Sequence, residues 1–224
     1  MSATYNDVLE RLKEERNRLL LSQNEMARIV HMTQSNYSKV ELGLRRLGYD
    51  ELKYLCESQL DIYYIFTGYR SSRKYTEFLS QCDYSELCCY LSIIYLMVNL
   101  RKGKRATDCW KSILDRTKYV PLIVDNQKAK NIFLVLRHSV NCRQSKMAEE
   151  LGVDIKKYRD LEKGRGLPDS ELLWRLYDSF HISSMVLLKD RKGLACEISS
   201  LIEAVETEKG NVLFEIIKML REME

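Results

Sequence analysis

Residues Leu21 to Gly43 read LSQNEMARIVHMTQSNYSKVELG, and their spacing decides the fold. Ser22 stands three residues before Glu25, a capping box that starts a short helix running through Ile29. His31 and Met32 supply a tight turn. Thr33 is placed to cap a second helix whose Tyr37 and Val40 face inward, and Gly43 sits where a left-handed residue ends it.

Upstream, Val8, Leu9, Leu12, Leu19 and Leu20 mark an opening helix at helical spacing. Downstream, Leu52, Leu55 and Cys56 lie on a fourth helix, and Leu60 to Phe66 form a short packed element. Two short helices joined by a turn, inside a unit of four to five helices, make a helix-turn-helix. The pattern recurs 121 residues later. Arg16, Gln23, Met26, Ala27, Tyr37, Glu41, Gly43, Leu52 and Leu55 fall on Arg137, Gln144, Met147, Ala148, Tyr158, Glu162, Gly164, Leu173 and Leu176. The second copy reads as a helix from Gln127 to His138, a helix from Gln144 to Leu151 and a turn at Gly152-Val153. Asp154 then caps a helix to Lys163, Gly164 stops it, and Pro168 and Asp169 open the next.

These residues resemble the Cro/CI-type regulators, also called the xenobiotic-response-element helix-turn-helix family. Leu21 to Ala27 and Thr33 to Gly43 carry the resemblance, and Asp61 to Gly68 looks like the stretch that closes the DNA-binding domain in many such repressors. It covers residues 7–69 and, more loosely, 127–188. The expected fold is all-α: two lambda-repressor-like helix-turn-helix domains joined by a helical linker segment, plus C-terminal helices. The expected domains are 1–69, a connecting segment 70–126, a divergent second domain 127–188, and C-terminal helices 189–224. The resemblance implies a sequence-specific double-stranded DNA-binding regulator of bacterial or phage type, commonly a repressor that occludes a promoter. It further implies that an arginine of the first helix pairs with a glutamate near the end of the recognition helix. Arg16 with Glu41 and Arg137 with Glu162, each 25 residues apart, are the implied structural ion pairs.

A recognition helix enters the major groove with its N-terminal residues at the base edges. Here those are Gln34, Ser35, Asn36, Ser38 and Lys39. Amides suit adenine, and lysine suits guanine or a phosphate. Gln23, Thr33, Arg45 and Arg46 are the phosphate-contact candidates. In the second copy the candidates are Gln144, Lys156, Lys157, Arg159, Lys163 and Arg165; Ile155 replaces Gln34 and Asp160 replaces Lys39. That helix either touches DNA or serves as a packing module.

Composition bounds the remainder. The chain has 224 residues, 30% charged and 45% hydrophobic, with 9 Gly and 2 Pro, which favours helices over disorder or all-β designs. Residues 70–126 hold 10 Lys or Arg against 6 Asp or Glu, and residues 127–188 hold 11 against 8, a mildly basic middle. Seven cysteines without a CxxC pair, and an N-terminus without a secretory pattern, suggest reduced thiols in a cytoplasmic protein. The adjacent Cys88 and Cys89 are fillers or, alternatively, a redox sensor. Leu91 to Leu100 spans only half a bilayer, so no membrane association is expected.

His31, His138 and His181 lack metal-ligand spacing, and no phosphate-binding or nucleophile motif occurs, so neither enzyme activity, metal nor cofactor is expected. Tyr84 to Leu100 reads as a helix apolar on more than one face. The cationic run Arg101 to Arg105 leads into a helix from Thr107 to Lys118, and Lys118 to Pro121 marks a boundary. Ile198, Leu201, Ile202 and Val205 form one late apolar stripe, and Val212, Leu213, Ile216, Ile217 and Leu220 another. Either they cap the chain's own core or, the favoured use, they pair two chains into a homodimer. An effector or protein partner stays open. The competing function is an antitoxin-like or adaptor module whose helix-turn-helix units serve partner binding.

Overall fold

The computed structural model of the chain describes residues 4–70, 74–100, 113–115, 117–119, 132–209 and 212–222, without the side chains of 206–209. These residues are helical, with no strand among them. The first unit comprises α1 (Tyr5–Arg18), α2 (Gln23–Ile29), α3 (Gln34–Glu41), α4 (Tyr49–Glu57) and α5 (Ile62–Thr67). Helices this short do not persist alone, so packing holds them. Met26, Ala27, Tyr37 and Val40 fill the space between α2 and α3 and are at most 1% exposed. Each large apolar side chain buried this way contributes about 1.5–3 kcal/mol.

Local signals set the boundaries. Glu25 N donates to Ser22 Oγ at 3.2 Å, and Asn36 N donates to Thr33 Oγ1 at 3.3 Å, so both helices start on a side-chain cap. Gly43 ends α3 at φ +72°. Leu20 departs from expectation: it points away from the core and is 91% exposed. α1 has already ended at Arg18, and Leu20 takes φ +56° to turn the chain toward α2, which throws its side chain into solvent.

The second unit repeats the arrangement with α8 (Ile132–Ser139), α9 (Gln144–Glu150), α10 (Ile155–Glu162), α11 (Ser170–Phe180) and α12 (Ser184–Leu188). Met147, Ala148, Leu151 and Tyr158 are buried where Met26, Ala27, Val30 and Tyr37 are buried in the first. Asp154 and Asp169 cap α10 and α11 by accepting from Lys157 N and Leu172 N at 2.8 and 2.9 Å. The expected start of the first helix at Gln127, the cationic run at 101–105, the helix start at Thr107 and the boundary at Val120-Pro121 lie outside the described residues.

The units touch directly. Ser170 N donates to Leu47 O at 2.9 Å, Leu47 N donates to Ser170 Oγ at 3.1 Å, and the Tyr5 hydroxyl meets the same Oγ at 2.5 Å. Tyr49 Oη donates to Leu187 O at 3.1 Å, and Lys53 Nζ donates to Leu188 O at 2.7 Å. The buried apolar residues of both units belong to one cluster.

The described residues also form α6 (Thr76–Leu79), α7 (Tyr84–Leu100), α13 (Arg191–Lys209) and α14 (Val212–Glu222). α7 buries Leu87, Cys88, Leu91, Ile94 and Val98 but leaves Leu96 and Leu100 exposed, so one face is buried, not several. The expected pairing role of Ile198, Leu201, Ile202 and Val205 is corrected: all four are buried within the chain, where α13 packs on α5, α6 and α7. The apolar face of α7 offers that stripe a partner in cis. Leu213 and Ile217 of α14 are buried too, while Val212 and Leu220 stay exposed. Cys88 is buried, which pushes its thiol pKa up, and Cys89 is exposed.

Candidate nucleic-acid interface

α3 divides its residues cleanly. Tyr37 and Val40 are buried, Gln34, Ser35 and Lys39 are exposed, and Asn36 and Ser38 are half-buried. Behind the exposed tip runs a chain of polar contacts. Arg16 Nε donates to Glu41 Oε1 at 2.6 Å, and Arg16 Nη1 donates to Leu21 O at 3.0 Å. Gln23 Nε2 donates to Glu41 Oε2 at 2.8 Å, and Gln34 Nε2 donates to Gln23 Oε1 at 3.0 Å.

The chemistry fixes the direction of this relay. A carboxylate only accepts, so Gln23 must turn its NH₂ toward Glu41 and its carbonyl toward Gln34. Gln34 answers with one N–H and retains another beside its own carbonyl. Burial pushes the Glu41 carboxyl up, but hydrogen bonds from Arg16 and Gln23 outweigh it and hold the pKa below the usual carboxylate range. Burial and the neighbouring Glu41 push the Tyr37 phenol pKa well up, so it stays neutral.

The second unit builds the same relay and changes its last member. Arg137 Nε donates to Glu162, and Arg137 Nη1 donates to Cys142 O at 3.2 Å. Gln144 Nε2 donates to Glu162 Oε2 at 2.5 Å. Here Arg159, not the residue at the Gln34 position, donates from Nε to Gln144 Oε1 at 3.3 Å. Glu162 is held low as Glu41 is, with burial opposed by Arg137 and Gln144.

The other phosphate and base candidates divide by whether an acid already holds them. Arg45 Nη2 donates to Glu51 Oε1 at 2.6 Å, and Arg46 Nε donates to Glu171 of the second unit. Lys157 Nζ lies 2.8 Å from Asp169 Oδ2. Lys39, Lys156, Lys163 and Arg165 are exposed. Thr33 is occupied as a cap. Sequence reasoning missed Glu51, Ser170 and Glu171. Glu51 lies only six residues past Arg45, close enough to have been noticed, whereas the other two act across the unit boundary.

With this geometry in view, comparison with known proteins is informative. Residues 12–57 match the family model described as helix-turn-helix. These residues form a helix-turn-helix domain. The match takes in the second half of α1, all of α2 and α3, and α4 to its end. The Cro/CI-type resemblance read from the sequence therefore holds for this helix-turn-helix domain. Within the curated proteins, the chain is similar to the cryptic phage CTXphi transcriptional repressor RstR of Vibrio cholerae serotype O1. They are 38% identical over 47 residues, 21% of this chain and 42% of the repressor. The chain thus spans less than half of that relative's length. No solved structure matches the chain. Among the described residues, no helix is long and apolar enough to cross a membrane, and no group of three or more His, Cys, Asp or Glu could hold a metal.

Proposed function

We propose that the chain is a sequence-specific double-stranded DNA-binding regulator, a repressor, that inserts α3 into the major groove. The carrying observation is the relay behind Gln34. It leaves that side chain exposed with one N–H and one carbonyl unused, the donor–acceptor pair that adenine N6 and N7 require. Ser35, Asn36, Ser38 and Lys39 lie on the same helix for neighbouring bases, with Arg45 and Arg46 toward phosphates. Gln23, expected at a phosphate, instead gives its amide N–H to Glu41 and its carbonyl to Gln34, and so positions Gln34. α10 is read as a second, divergent reading head, with Lys156, Lys163 and Arg165 toward the backbone. Because α3 and α10 carry different residues, the two half-sites should differ in sequence. Exposed Val212, Met219 and Leu220 on α14 are what the C-terminal stripes retain for pairing with a second chain. The similarity of the helix-turn-helix domain to a phage repressor supports the regulatory reading.

Selection of bound duplexes from random DNA tests the proposal. The full chain should enrich a defined sequence, and its affinity should fall linearly with salt on logarithmic axes. Gln34→Ala should relax preference at one position by about 1–3 kcal/mol. A chain that enriches no sequence at low salt would overturn it in favour of the partner-binding module.

A further inference from the structure

We infer that Arg159 reads a guanine and so sets the base specificity of the second unit; this rests on the DNA-binding reading above. Both units present a glutamine carbonyl, on Gln23 or Gln144, turned outward because the glutamate behind it accepts an amide N–H. That carbonyl accepts a donor from the recognition helix in both units. In the first unit Gln34 supplies it from the helix's first residue. The corresponding residue of α10 is Ile155, which has no hydrogen-bonding group. The donor comes instead from Arg159, four residues on and so on the same face one turn later.

The exchange changes what remains for a base. Gln34 keeps one donor and one acceptor. Arg159 commits only Nε, and among the described residues no acceptor or carboxylate takes up its Nη groups. A guanidinium with its Nη groups unused offers donors alone, in the fork that fits guanine O6 and N7; adenine, with a donor at N6, is rejected. Arg159 is exposed, so its guanidinium is open to solvent among the described residues. Gln144, Glu162 and Arg137 act as positioning residues, fixing the guanidinium through its Nε. The operator therefore contains one half recognised through an amide and another through a guanidinium.

The test uses the full chain and duplexes selected from random DNA, with Arg159→Ala and Gln34→Ala compared against the parent. The parent should require a guanine at one position, with adenine there weakening binding about 5- to 150-fold. Arg159→Ala should bind both sequences within about twofold of each other. Gln34→Ala should keep that guanine preference and relax a different position. Gln144→Ala should weaken the guanine preference partly while thermal unfolding shows the chain folded. If Arg159→Ala keeps every base preference and loses affinity equally on all sequences, with a shallower salt dependence, Arg159 contacts a phosphate and this inference falls alone. If the parent enriches no sequence, the DNA-binding reading falls and takes this one with it.

Discussion

Glu41 and Glu162 are short of water, and each is surrounded by donors. That combination makes them strong points and weak points together. Removing one partner of a buried pair strands the other, so Glu41→Ala should cost about 3–5 kcal/mol. The lower end is expected, because Arg16 keeps the Leu21 carbonyl. Urea unfolding followed by circular dichroism would measure it. The sign of the pH effect follows from the same contacts. Both carboxyls are held below the ordinary 4.5, as is Glu15 between Arg18 and Arg70, so their stabilisation is present above that value and disappears as pH falls through the lowered values. Asp190 works oppositely, since burial raises its carboxyl and ionising it costs stability as pH rises. Asp7 and Glu25, which accept hydrogen bonds at the starts of α1 and α2, are lowered too, so among the described residues five lowered carboxyls stand against one raised and thermal stability should fall as pH drops below 4.5. Glu162→Gln should flatten that decline while lowering stability at neutral pH.

At the scale of elements, what the amino-acid sequence made legible was whatever is decided within a few residues. The caps at Ser22, Thr33, Asp154 and Asp169 and the stops at Gly43 and Gly164 follow from side-chain oxygens and from the missing Cβ of glycine. Thr33→Ala and Asp154→Ala should each cost about 1 kcal/mol by thermal or urea unfolding. Gly164→Ala should cost about 1–2 kcal/mol, because φ +64° strains any residue with a Cβ. What escaped was whatever depends on a distant neighbour. Amphipathic spacing along α13 revealed an apolar stripe but not the α7 face that covers it. Leu20 matched the helical period and yet lay two residues beyond the helix. The second relay was hidden for the same reason: Arg159 looks like one cation among several until Gln144 is seen to face it.

For the whole molecule, the contact around Ser170 governs how the two units behave. Its hydroxyl serves both Tyr5 and the buried Leu47 N–H. Ser170→Ala leaves that N–H without its partner and should cost about 1–3 kcal/mol, read as a lower urea midpoint. Both units should lose structure in one transition, checked by coincident fluorescence and circular dichroism curves, because their core is shared. Nearby, Glu171 already occupies Arg46 in the position where a phosphate would compete for it. Arg46 is half exposed, which leaves its side of the pair screened by water, so Glu171→Ala should tighten DNA binding several-fold and steepen its salt dependence. The Leu47–Ser170 stitch also limits what the chain can recognise. If α3 and α10 both read DNA as proposed, two heads sewn together cannot follow a target whose halves are displaced: one inserted base pair turns the far half by about 34° around the duplex. Such an operator would be gripped by a single head.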